Sequence, residues 1–150
     1  MVALGGWILL ALLAGMSGAA AGPDAWYDGI RKPAWNPPGW VFGPVWTFLY
    51  VTMGVAAWLV WSRRKEAAVS LALGLFVVQL LFNSAWSWIF FRLHRIDLAF
   101  YELVVLWLLV LATLRAFWSI RPAAGWLLVP YLAWVTFAGY LNFTLWRLNR

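Results

Sequence analysis

Two carboxamides, Gln79 and Asn83, stand four residues apart inside a long uncharged stretch, and Trp86 follows three further on. On a helix that spacing puts all three on one face. Hydrocarbon surroundings offer an amide no partner, so each must find one within the protein. Two readings are open: hydrogen bonds between helices, typically worth about 0.6 kcal/mol, or a polar anchor in an otherwise apolar pocket. Two further stripes repeat at helical spacing. Trp46, Tyr50 and Met53 form one, and Tyr131, Trp134, Ala138 and Asn142 form the other. Such stripes more often pack than bind. Three of them, one bearing amides, frame a cavity for a flat hydrophobic molecule.

Other chemistry lacks its residues. The chain has no cysteine, which excludes thiolate metal sites, disulfides and cysteine nucleophiles. Its one histidine, His94, lies between Arg92 and Arg95 and reads as a solvated interfacial residue rather than a haem ligand. We expect no metal site. No acid pair, Ser/His/Asp set or glycine-rich phosphate loop is present, so hydrolytic and nucleotide chemistry have no candidates.

The elements that must position these groups follow from composition. Of 150 residues, 65% are hydrophobic and only 11% charged, against roughly 25% charged in ordinary globular proteins. A chain this small cannot hide so much apolar surface from water, so lipid must be its solvent over much of its area. The net charge of +6 comes from basic residues scattered at the edges of uncharged runs. That pattern suits membrane flanks and not a phosphate-tracking patch, so nucleic acid is not expected as a partner.

Five stretches suffice to cross a ~30 Å hydrocarbon core as helices: residues 2–21, 41–62, 67–91, 98–118 and 123–146. Their short charged connections force antiparallel neighbours, which predicts one all-α bundle over residues 1–150. No Lys or Arg precedes Arg31, so the first span lacks the positive start of a secretory signal and is read as a retained helix. Its small residues (Ala11, Gly15, Ala19 and Ala14, Gly18, Gly22) permit close helix approach, within the bundle or between protomers. Glu102 and Arg115 fall near the ends of the fourth span; an ion pair of Glu102 with Arg92 or Arg95 is expected. Basic residues divide evenly between the two faces: Arg63, Arg64, Lys65, Arg115 and Arg121 against Arg31, Lys32, Arg92, Arg95, Arg147 and Arg150. Five against six sets no orientation.

The only long connection, residues 22–40, begins with a short helix signal around Pro23 to Gly29 and continues as Lys32-Pro33-Ala34-Trp35-Asn36-Pro37-Pro38-Gly39-Trp40. Its prolines keep the backbone extended. A stiff loop bearing Trp26, Tyr27, Trp35 and Trp40 is too apolar to stand free in water; it is either an interfacial aromatic belt or a lid over the bundle mouth.

Three blocks, in order, resemble the TspO/MBR family, also known as the translocator proteins or tryptophan-rich sensory proteins. They are Trp26-Tyr27 with Lys32-Pro33-Ala34-Trp35-Asn36-Pro37-Pro38 running into Gly43-Pro44-Val45-Trp46 and Leu49-Tyr50; Gln79-Leu80 with Asn83, Trp86 and Phe90-Phe91; and Pro130-Tyr131-Leu132-Ala133-Trp134 with Leu141-Asn142 and Trp146. The resemblance implies a five-helix membrane protein, often a homodimer, in a bacterial envelope or mitochondrial outer membrane. It also implies binding of porphyrins, haem-like tetrapyrroles or sterols, with no required cofactor. The ligand positions it implies are Tyr27, Trp35, Trp46, Tyr50, Gln79, Asn83, Trp86, Tyr131, Trp134 and Ala138, under a lid formed by the loop. Some bacterial members degrade protoporphyrin in light and oxygen, and the tryptophans credited with this match Trp46 and Trp134, which would then be catalytic. Phe143 stands where the family's sterol motif has tyrosine, which counts against a sterol. Three functions therefore remain in view: a tetrapyrrole receptor, sensor or carrier; a porphyrin-degrading enzyme; and a membrane scaffold with no small-molecule site.

Overall fold

The computed structural model describes residues 1–150. It contains α1 (Val2–Ala20), a short α2 (Ala25–Gly29), α3 (Gly39–Trp61), α4 (Ser70–Ser87), α5 (Ile96–Ile120) and α6 (Pro122–Leu148), with no strand. Five of the helices are long and apolar enough to cross a membrane, α4 reaching that length with the π-helical turn Trp88–Arg92 that continues it. The protein is a multi-pass membrane protein.

Boundaries moved from their expected places for local reasons. Pro38 is extended and precedes the first residue of α3, so the proline run ends at Gly39 and the helix starts two residues early. Residues 62–66 form turns, supported by an Arg63–Glu66 pair at 2.8 Å, and α4 starts only at Ser70, three residues later than expected. Pro122 occupies the first turn of α6, where its missing N–H costs nothing. Pro130 lies inside the same helix, which continues through it.

The long helices pack as a closed ring: α1 on α3, α3 on α6, α6 on α5, α5 on α4, and α4 back on α1. One end of the ring is solid. Met53, Ala56, Ala57, Val60, Phe76, Phe117, Ala124 and Leu128 are buried there, and Phe76 stacks on Phe117 at 5.9 Å between ring centroids. Close approach at this end depends on glycine. A Cβ on Gly54 would lie 2.5 Å from Ile8 Cα, so α1 and α3 touch backbone to backbone. The small residues of α1 likewise pack inside this chain: Gly15 faces the Tyr50 ring and Gly18 faces Ser87.

The expected ion pair of Glu102 with Arg92 or Arg95 does not form. Arg95 instead holds Asp97 through two bonds, Nε to Oδ1 at 3.0 Å and Nη2 to Oδ2 at 2.9 Å, while Arg92 reaches the Ala20 carbonyl. Glu102 lies five residues deeper along α5 than Asp97, about 7.5 Å of rise, and both its carboxyl oxygens are buried without a hydrogen-bond partner.

Gly54→Val should push α1 from α3 and lower unfolding stability in detergent by about 1–3 kcal/mol. Gly74→Ala, where an added Cβ meets nothing within 4 Å, should leave the melting temperature unchanged or raise it.

Candidate ligand cavity

At the other end the ring is hollow. A cavity of about 380 Å³ opens there, lined by 25 residues, none of them charged. This volume lies within the range usual for small-molecule sites. Each long helix contributes wall: Gly15, Gly18 and Ala19 from α1; Phe42, Gly43, Trp46 and Tyr50 from α3; Asn83, Trp86 and Ser87 from α4; Leu103 and Leu106 from α5; Trp134, Val135, Ala138, Leu141, Asn142 and Leu145 from α6. Phe90 and Phe91, on the π-helical turn, complete it.

Trp46 and Trp134 meet edge to face, with centroids 6.4 Å apart and planes at 90°. Trp46 also stacks on Tyr50 at 5.5 Å, and Phe42 packs edge-on against Trp134 at 6.0 Å. The Trp134 indole N–H is buried and has no acceptor, which is unusual for a buried tryptophan.

A directed chain of hydrogen bonds forms the floor. Tyr50 Oη donates to Asn83 Oδ1 at 2.6 Å, Asn83 Nδ2 donates to Tyr131 Oη at 2.8 Å, and Tyr131 Oη donates to Gln79 Oε1 at 2.6 Å. Gln79 Nε2 ends the chain with a long contact to Met53 Sδ at 3.9 Å. The chain joins α3, α4 and α6, and separates the cavity from the solid end. Nearer the mouth, Trp86 Nε1 donates to Asn142 Oδ1 at 2.9 Å, and Asn142 Nδ2 donates to the Ile96 carbonyl at 3.0 Å.

The expected ligand positions therefore divide. Tyr27, Trp46, Tyr50, Asn83, Trp86, Trp134 and Ala138 line the cavity. Gln79 and Tyr131 do not; they are 1% exposed and lie in the floor, below the space itself. Trp35 is not in the lining either. It is 43% exposed, stacks on Tyr140 at 5.3 Å and meets Phe137 edge-on at 6.0 Å. The α1 wall was not foreseen as part of a site. Its signal was the Gly15, Gly18 and Ala19 spacing, which reads equally as packing.

The segment between α1 and α3 crosses the mouth, where Gly22, Pro23, Tyr27, Pro37 and Gly39 face the cavity. It is fastened at two points. Asp24 caps α2, accepting from the Tyr27 amide at 3.3 Å, and its Oδ2 lies 3.5 Å from His94 Nε2. Desolvation opposes the charged form of Asp24, but the Tyr27 amide and His94 outweigh it and hold the carboxyl below its usual value. His94 is held in the left-handed region (φ 54°) and stacks on Trp26 at 4.2 Å. Farther along, Asn149 Oδ1 accepts from the Arg31 amide at 2.8 Å and its Nδ2 donates to the Arg31 carbonyl at 2.8 Å. Tyr27 turns inward from this segment, and Trp40, in the first turn of α3, is 76% exposed. No group of three or more His, Cys, Asp or Glu side chains gathers to hold a metal ion.

The sequence profile of the TspO/MBR family matches residues 6–147. The chain belongs to the TspO/MBR family. Among its TspO/MBR relatives, protein CrtK of Rhodobacter capsulatus is 46% identical over 138 residues, covering 91% of this chain and 86% of the relative. The tryptophan-rich protein TspO of Chlorobaculum tepidum is 41% identical over 144 residues, covering 93% and 91%. The human translocator protein is 43% identical over 127 residues, covering 83% and 75%.

Tyr131→Phe should cost more than Tyr50→Phe in thermal unfolding. The first strands both Asn83 Nδ2 and Gln79 Oε1, and should lower stability by about 1–3 kcal/mol. The second strands only Asn83 Oδ1. Equal losses would mean that the chain is not continuous.

Proposed function

We propose that this TspO/MBR protein is a membrane receptor, sensor or carrier that binds porphyrins or haem-like tetrapyrroles in the cavity of its bundle. One observation carries the reading: an uncharged hollow of about 380 Å³ whose walls present the faces and edges of Trp46, Trp134, Phe42 and Trp86 above a floor of amides bonded to tyrosines. Indole and phenyl faces stack on a flat macrocycle, and such contacts add about 0.5–1.5 kcal/mol each beyond area burial. Asn83 already spends its oxygen and one amide donor on tyrosines, and the Gln79 oxygen accepts from Tyr131. In this reading their role is to hold Tyr50 and Tyr131 in place, and Asn83 also presents its edge to the ligand. The Trp134 N–H is a buried wall donor with no acceptor in the protein and suits an acceptor on the ligand rim. Tyr27 and its segment close over the bound molecule, and Trp35 helps by pinning that segment to α6. The names translocator and sensory protein among the relatives fit a protein whose occupancy matters.

The position of Trp46 and Trp134 supports a second reading, light-driven degradation of the bound porphyrin. Both indoles border the cavity and touch each other. An excited porphyrin held there would have oxidisable rings within contact, with dioxygen as the oxidant.

Protoporphyrin IX should quench the protein's tryptophan fluorescence saturably, and Trp46→Ala should weaken that binding by about tenfold, equivalent to ~1.4 kcal/mol. Uptake that rises linearly, as into empty detergent micelles, would favour the scaffold reading. Under illumination in air, loss of the Soret band above that of free porphyrin should disappear in Trp46→Phe and Trp134→Phe. Unchanged bleaching in both variants would remove the enzyme reading and leave the receptor reading standing.

A further inference from the structure

The cavity holds no charge, but its rim does. Six basic residues and His94 lie at this end of the bundle: Arg31, Lys32, Arg92, Arg95, Arg147 and Arg150. Most are committed elsewhere. Lys32 Nζ donates to the carbonyls of Tyr27 at 2.5 Å, Ile30 at 3.2 Å and Asp28 at 3.4 Å. Arg95 is bound through both contacts to Asp97, and His94 faces Asp24. Arg147 lies over the Phe143 ring, on a part of α6 that packs against Phe100 and Trp146. Arg31 belongs to the stretch 28–36, no residue of which lines the cavity.

Arg92 is placed differently. It ends the π-helical turn directly after Phe91, a wall residue, and its Nη2 makes a single long contact of 3.4 Å with the Ala20 carbonyl. Ala20 is framed by the lining residues Ala19 and Gly22. The guanidinium therefore sits across the gap between α1 and α4 at the mouth, with most of its five donors unspent. Trp88, whose ring centroid is 5.6 Å from the Arg92 guanidinium carbon, anchors the same turn by donating to the Ser17 carbonyl at 3.1 Å. Three acids lie at this end: Asp24 is engaged by the Tyr27 amide and His94, Asp97 is held by Arg95, and Asp28 stands in the stretch 28–36 that does not line the cavity.

We propose that Arg92 is a specificity-determining residue of this cavity, pairing with an ionised carboxylate carried at the edge of an otherwise apolar ligand. The inference rests on the ligand-binding reading above and narrows it to flat amphiphilic acids. The uncharged interior takes the apolar body, because a carboxylate inside it would be unpaired and costly. The carboxylate stays at the headgroup level, where Arg offers a forked, charge-assisted contact. A neutral molecule of the same shape gains nothing from that contact.

The test uses protoporphyrin IX and its dimethyl ester, titrated into the detergent-solubilised full chain by tryptophan quenching. The wild-type chain should bind the free acid more tightly than the ester. Arg92→Gln, which keeps a donor for the Ala20 carbonyl but loses the charge, should weaken the acid by about fivefold, near the upper end for an exposed ion pair, and leave the ester unchanged. Arg92→Lys should recover much of the acid affinity. Raising the salt from about 0.1 M to 1 M, which shortens the screening length from ~10 to ~3 Å, should narrow the wild-type preference between acid and ester. Equal weakening of both ligands by Arg92→Gln would make the residue a strut between α1 and α4 and overturn the proposal. So would an unchanged acid affinity, or the same selective loss in Arg31→Gln with none in Arg92→Gln. Failure of the wild-type chain to bind either porphyrin saturably would instead count against the cavity reading itself.

Discussion

Inside a bilayer a polar group cannot turn to water, so every amide and hydroxyl buried there must find its partner in the protein. The chain Tyr50–Asn83–Tyr131–Gln79 meets that requirement in one connected run, and each hydroxyl both donates and accepts or ends the run. It also fixes where the bundle stops being solid. Below it, Phe76, Phe117 and Val60 fill the ring; above it, the same helices stand apart around the cavity. The tyrosines need the amides for satisfaction, and the amides need the tyrosines. Neither the cavity floor nor the alignment of α3, α4 and α6 survives unchanged without the other.

The ring order explains how a chain with so little charge can hold a hollow open. Each long helix packs chiefly on two neighbours, and the two polar ties nearer the mouth, Trp86 to Asn142 and Asn142 to the Ile96 carbonyl, brace α4, α5 and α6 against one another. The covering segment is braced separately, by His94 stacked on Trp26 at one side and Asn149 clasping Arg31 at the other. Collapse would require breaking bonds that hydrocarbon cannot replace. This is the membrane counterpart of rigid scaffolding around a soluble binding site.

Much of this was legible from residue order alone. Spans of about 20 apolar residues announce themselves by length, and the Gln79–Asn83–Trp86 face follows from helical periodicity. The three aromatic stripes do converge on one region. What periodicity cannot tell is depth along the ring axis: Tyr131 and Trp134 share a stripe, yet one lies in the floor and the other in the wall. The clasp of Asn149 on Arg31 joins positions 118 apart and has no local signature. Glu102 misled because sequence proximity to Arg95 suggested a partner that Asp97 had already taken. The glycines of α1 told of close approach without telling what they approach.

That last point has a consequence for how such a wall can change. Gly15 leaves no room for a methyl group before the Tyr50 ring, and that ring is itself a panel of the cavity and the first donor of the floor. The gap between two helices and the capacity of the chamber are thus one variable. Selection on any single carbon at this position would retune the chamber's size, the tilt of a helix and the registry of a hydrogen-bond relay together.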